Sequence, residues 1–145
     1  MTTHRPQPAD QPGDQPGATV THRRYVPSSH AHYAGDLVDG AYGLGLFGDV
    51  ATELCIRTDG DEGLFASYSD VQFLAPVRAG DVVEARATLV AVGNRSRTME
   101  FVLTVTARQR PGGGVSSAAL LDPPLVATTA TGVVVVPPGD RSAPA

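Results

Sequence analysis

The sequence predicts one α+β domain, an antiparallel sheet of about five or six strands wrapped around a single long glycine-rich helix. Three observations carry this. The second half of the chain falls into runs that alternate apolar and polar residues, the period of half-buried strands. Only one segment, residues 40–57, has helical spacing. At 145 residues and 41% hydrophobic composition the chain can fill one core and is too short for two.

Residues 1–20 hold four prolines and no apolar run, so they are expected to be a disordered leader, neither signal peptide nor membrane anchor. The domain is expected over 21–136, with a second disordered stretch, "PPGDRSAPA", over 137–145. "HRRYVP" reads as a short strand ending at Pro27, and "SSHAHYAGDLVDG" (28–40) as a loop. In the helix, Leu44, Phe47, Ala51 and Leu54 share one stripe behind an Asp39 N-cap. Gly40, Gly43, Gly45 and Gly48 each cost a helix interior about 1 kcal/mol relative to Ala. Their presence predicts a helix pressed against the sheet or a ligand.

After a turn at "TDGDEG", "LFASYSDVQFLAPV" is the first long strand and "RAGD" a tight turn. "VVEARATLVAVG" sets Val83, Ala85, Ala87 and Leu89 on one face; "RTMEFVLTVTARQR" does the same with Met99, Phe101, Leu103 and Val105. "RPGGGVSSAALLDPP" reads as a long loop and "LVATTATGVVVVPP" as the closing strand, with hairpins joining the strands.

A net charge of −4, with eleven Arg, no Lys and fifteen acids, argues against nucleic acid as a partner. Cys55 has no second cysteine to pair with, and no metal-ligand spacing surrounds it, which fits a reduced cytoplasmic setting with no metal. "GAYGLG" opens a helix without the strand and turn that a dinucleotide site requires, so no cofactor is expected.

The titratable residues gather at the helix entrance. His30 and His32 titrate nearest neutral pH and share a face if the segment is extended. Tyr33, Asp36 and Asp39 stand beside them. The free amides at Gly40 and its neighbour can hold an oxygen that gains negative charge. Asp39 is read either as the helix cap or as a group that orients a histidine or holds an ammonium. Asp49 is expected in solvent, and Glu53 either in solvent or in the pocket.

The segment "LAPVRAGDVVEARATLVAVGNRS" resembles the hotdog fold of acyl-CoA thioesterases and hydratases. Residues 30–81, "HAHYAGDLVDGAYGLGLFGDVATELCIRTDGDEGLFASYSDVQFLAPVRAGD", resemble more specifically the 3-aminobutyryl-CoA ammonia-lyase family and its glycine-adding relatives of secondary metabolism. The resemblance implies conjugate addition of an amine, glycine foremost, to an enoyl thioester carried on a carrier protein or CoA, giving an N-carboxymethyl-3-aminoacyl product, with a 3-aminoacyl-CoA ammonia lyase as the alternative. The broader resemblance to acyl-CoA thioesterases places a polar catalytic residue at His32, three positions before Gly35, and the sequence departs from the ammonia-lyase family at Asp36, where an Asn is expected. His32, His30, Asp39 and Gly40 are the expected catalytic groups. Tyr33, Asp36, Tyr68, Arg97 and Thr128 are expected to bind substrate, Arg97 holding the carboxylate of glycine or a phosphate of the thioester arm, or else merely solvating a turn. A homodimer or higher oligomer with a shared pocket is expected. Thioester hydrolysis and non-catalytic acyl binding are the alternatives.

Overall fold

The computed structural model describes residues 16–138. Its elements are β1 (Thr19–Tyr25), β2 (Ala31–Tyr33), β3 (Leu37–Val38), α1 (Gly40–Asp59), β4 (Leu64–Phe73), β5 (Val82–Val92), β6 (Ser96–Gln109) and β7 (Ala118–Val135). Five strands form one antiparallel sheet in the order β1-β5-β6-β7-β4, and β2 with β3 makes a short separate ribbon.

The helix starts where Asp39 Oδ1 accepts the Tyr42 N–H at 3.1 Å, and it ends at Gly60 in the left-handed conformation. Its buried stripe is Gly43, Leu46, Phe47, Val50, Ala51, Leu54, Cys55 and Thr58, spaced by three and four residues. Leu44, expected in that stripe, is only partly buried and lines a hollow beside Phe65 and Tyr68 of β4. Opposite the helix lie Val83, Ala85, Ala87 and Leu89 of β5 and Met99, Phe101, Leu103 and Val105 of β6, all buried as their alternation requires. Phe47 stacks on Phe101 with ring centroids 5.0 Å apart.

The structure corrects four expectations. Strand pairing begins before residue 21, since Gly17 N–H donates to the Leu89 carbonyl and Leu89 N–H to that of Ala18. Residues 1–15 of the expected leader, and 139–145 of the expected tail, lie outside the described residues. The β4–β5 connection is not a hairpin: β4 pairs with β7 on one edge while β5 lies beyond β6, so residues 74–81 cross the end of the sheet. Much of the expected loop is strand, because Val105 pairs with Leu125 and Ala107 with Leu120. Pro123 and Pro124 fall in the bulge between those pairs, where a strand tolerates residues without an N–H. Finally, of the four glycines in the helix, Gly40 and Gly43 lack space for a Cβ, whereas nothing approaches one placed at Gly45 or Gly48.

The crossing segment is pinned by Asp81. Its carboxylate accepts the Arg78 N–H at 2.8 Å and two bonds from Arg108, at 2.9 and 2.8 Å. Arg108 also donates to the Pro76 carbonyl at 2.8 Å. This fork fixes the stretch that becomes one wall of the cleft described next.

Candidate active site

A cleft of about 620 Å³ opens at the N-terminus of α1. One wall is Asp39, Gly40, Ala41, Tyr42 and Gly43; facing it are Phe73 to Val77, with Leu103 and Thr128 at the floor and Tyr33 at the rim. Asp39 satisfies the Tyr42 amide, while the Gly40 and Ala41 amides donate to no acceptor among the described residues. Two N–H groups at the positive end of a 20-residue helix therefore meet an open, mostly apolar slot.

Of the expected site residues, the fold brings Tyr33, Asp39, Gly40 and Thr128 to this cleft. Thr128 is buried, and its hydroxyl bonds to no other described residue. Asp39 proves to be the cap and also a cleft residue.

His30 and His32 do not line it. Within β2, neighbouring side chains alternate, and it is Tyr33 that turns to the cleft. His32 is exposed and meets only the edge of Tyr33, ring centroids 4.6 Å apart. His30 ends a one-turn 3₁₀ segment rather than an extended run, and its ring lies 4.4 Å from that of Tyr42.

Three other expectations are corrected. Asp36 adopts a positive φ of 63° and lies with Gly35, Arg78 and Arg108 around a separate hollow. Tyr68 donates its hydroxyl to the Leu44 carbonyl and ties β4 to the helix. Burial and the charge of Asp49 push that hydroxyl up to about 12, so it stays a donor. Arg97 is buried against Asp59 with a 2.8 Å Nη2–Oδ1 bond, and Nη1 donates to the Gly93 and Ser96 carbonyls. Asp59 ends α1, about 30 Å along the axis from the cleft at 1.5 Å per residue. Arg97 is thus engaged with Asp59 at the far end of the helix. Glu53 faces β1, where it binds His22 at 2.7 Å and Arg57 at 2.8 Å.

Sequence reasoning missed Tyr42, Phe73 and Leu103. Tyr42 was legible, because helical side chains lean toward the N-terminus and a residue three after the cap stands over the helix mouth. Burial raises its hydroxyl above the ordinary value, with the positive charge of Arg24 opposing in part, so at neutral pH Tyr42 is a donor and not a base. Among the described residues, no group of three His, Cys, Asp or Glu is arranged to hold a metal ion, and no helix is long and apolar enough to cross a membrane.

The profile of the thioesterase superfamily matches residues 41–110. A 3-aminobutyryl-CoA ammonia lyase of Acetoanaerobium sticklandii is 60% identical over 75 residues, a match covering 51% of this chain and 60% of that protein's length. The solved structure of β-alanyl-CoA:ammonia lyase from Clostridium propionicum is similar with a TM-score of 0.79 and 36% identity, over 83% of this chain and 86% of that one. A hexameric hotdog-fold thioesterase of Campylobacter jejuni shares the fold at a TM-score of 0.63 and 20% identity, over 79% of each chain. The chain belongs to the hotdog-fold family of the 3-aminobutyryl-CoA and β-alanyl-CoA ammonia lyases, within the thioesterase superfamily.

Proposed function

We propose that the protein is a carbon–nitrogen lyase that adds ammonia to the β-carbon of an enoyl-CoA thioester, or removes it from a 3-aminoacyl-CoA. The observation that carries this reading is the pair of unengaged amides, Gly40 and Ala41, at the head of a sheathed helix open to a cleft. In the addition, the nitrogen lone pair attacks the β-carbon and the π electrons move onto the thioester oxygen. Those amides stabilise the oxygen as it becomes enolate-like, a donor typically being worth about 3 to 4 kcal/mol of barrier. The nitrogen then loses one proton and the α-carbon gains one, which closes the balance.

Asp39 is suited to the first transfer. Its Oδ1 is held by the Tyr42 amide, while Oδ2 has no described partner and belongs to the only carboxylate lining the cleft. Tyr33, Tyr42 and Thr128 supply hydroxyls to orient the substrate. His30 and His32 stand one ring back from the cleft, packed against Tyr42 and Tyr33, where they brace those two side chains.

Ammonia is favoured over glycine because, among the described residues, no Arg lines the cleft to receive a glycine carboxylate. CoA is favoured over a carrier protein by the two ammonia-lyase relatives, whose names specify CoA thioesters. A homodimer fits the free edge of β4, beside which Leu44, Gly45, Gly48 and Phe65 line an apolar hollow that a second copy can fill.

The test is incubation with crotonyl-CoA and either ammonium or glycine, followed by mass analysis. The ammonia adduct supports the proposal; a glycine adduct replaces the amine; free crotonate indicates hydrolysis instead.

A further inference from the structure

We infer that Phe73 sets the length of the acyl group the cleft admits, an assignment that rests on the acyl-thioester reading of this cleft. Phe73 is the last residue of β4, paired with Thr128. Directly after it the chain leaves the sheet, Leu74 and Ala75 both donating to the Ala127 carbonyl. The Phe73 ring is laid across the first turn of α1. A Cβ built on Gly40 would meet its Cε1 at 2.4 Å and its Cζ at 2.7 Å, closer than packed atoms come.

One turn deeper, a Cβ on Gly43 would meet Leu103 Cδ2 at 3.0 Å. The Phe73 ring and Leu103 thus sit directly on the backbone at Gly40 and Gly43, and the open part of the cleft beside this face is bounded by the Phe73 ring at one end and Leu103 at the other. The two ends differ in freedom. Leu103 is 1% exposed and fixed within the core, whereas Phe73 is 59% exposed and can turn about its side-chain bonds. Leu103 is the floor and Phe73 the adjustable end. An acyl chain entering the cleft beside this face meets the ring beyond a few carbons, or must displace it.

The assignment separates from the amine chemistry by measuring binding of saturated thioesters, which do not react. Calorimetry with butyryl-CoA and octanoyl-CoA is run on the full-length chain and on Phe73→Leu and Phe73→Ala, with circular dichroism confirming that each folds. The expected result is a change in the octanoyl-to-butyryl affinity ratio of about tenfold or more toward octanoyl in Phe73→Ala, with Phe73→Leu between. Gly40→Ala is expected to weaken both ligands, and adding Phe73→Ala to restore part of that loss, because the inserted methyl group then has room. A ratio unchanged by both Phe73 variants overturns the assignment, as does failure of the wild-type chain to bind either thioester. If the ratio shifts but no adduct forms from crotonyl-CoA, the amine chemistry fails and the role of Phe73 stands.

Discussion

Arg97 Nη2 donates to Asp59 Oδ1 across 2.8 Å, with both side chains buried, at the end of α1 farthest from the cleft. Removing one partner of such a pair strands a charge out of water. Arg97→Met is therefore expected to cost about 3 to 5 kcal/mol of stability, while the double replacement with Asp59→Leu costs less. Urea unfolding measures both. The folded fraction should retain its affinity for butyryl-CoA, and a selective loss of that affinity would return Arg97 to the site.

Asp39 carries two roles that substitution separates. Asn caps a helix about as well as Asp, whereas Ala loses about 1 kcal/mol. Asp39→Asn is expected to melt with the wild type and yet form little ammonia adduct, because an amide cannot accept the proton. Thermal melts beside the adduct rate check this; a fully active Asp39→Asn leaves Asp39 as cap alone.

Glu53 links acid stability to the seam between β1 and α1. The hydrogen bond from His22, then that from Arg57, holds its carboxyl below the ordinary value of 4.5. A depressed folded-state value means that the contribution is complete above the unfolded value and is lost as pH falls through the folded one. In urea midpoints followed from neutral into acid, the advantage of the wild type over Glu53→Gln should hold until the carboxylate range and then shrink. The side chain is partly exposed and screened by water, so the advantage is small.

Cys55 lies on the buried face of α1, and burial with the nearby charge of Asp59 pushes its thiol up to about 11. It is therefore protonated and shielded at neutral pH. A thiol reagent should label it only after denaturant is added; rapid labelling of the native protein would show the helix to be less sheathed than described.

The strands were legible because alternation reports burial directly: Met99, Phe101, Leu103 and Val105 read inward and are inward. The same parity carried a warning that went unused, since Arg97 falls on that inward face two residues before Met99. Asp39 was legible as a cap by its place before an apolar stripe. The histidines misled, because closeness in sequence does not say which side of β2 a side chain takes, and Tyr33 took the cleft side. Phe73, Leu103 and Val77 reach the cleft from strands and a crossing remote in sequence. Local pattern cannot reveal that meeting, since it depends on β4 lying at the far edge from β5.

Isotope-edited infrared spectroscopy of butyryl-CoA labelled with carbon-13 at its thioester carbonyl reads the polarisation by the Gly40 and Ala41 amides most directly. Binding should shift the carbonyl band to lower frequency than in water, as two dipolar donors draw charge onto the oxygen. A bound ligand whose carbonyl band stays at its solution position would contradict the account.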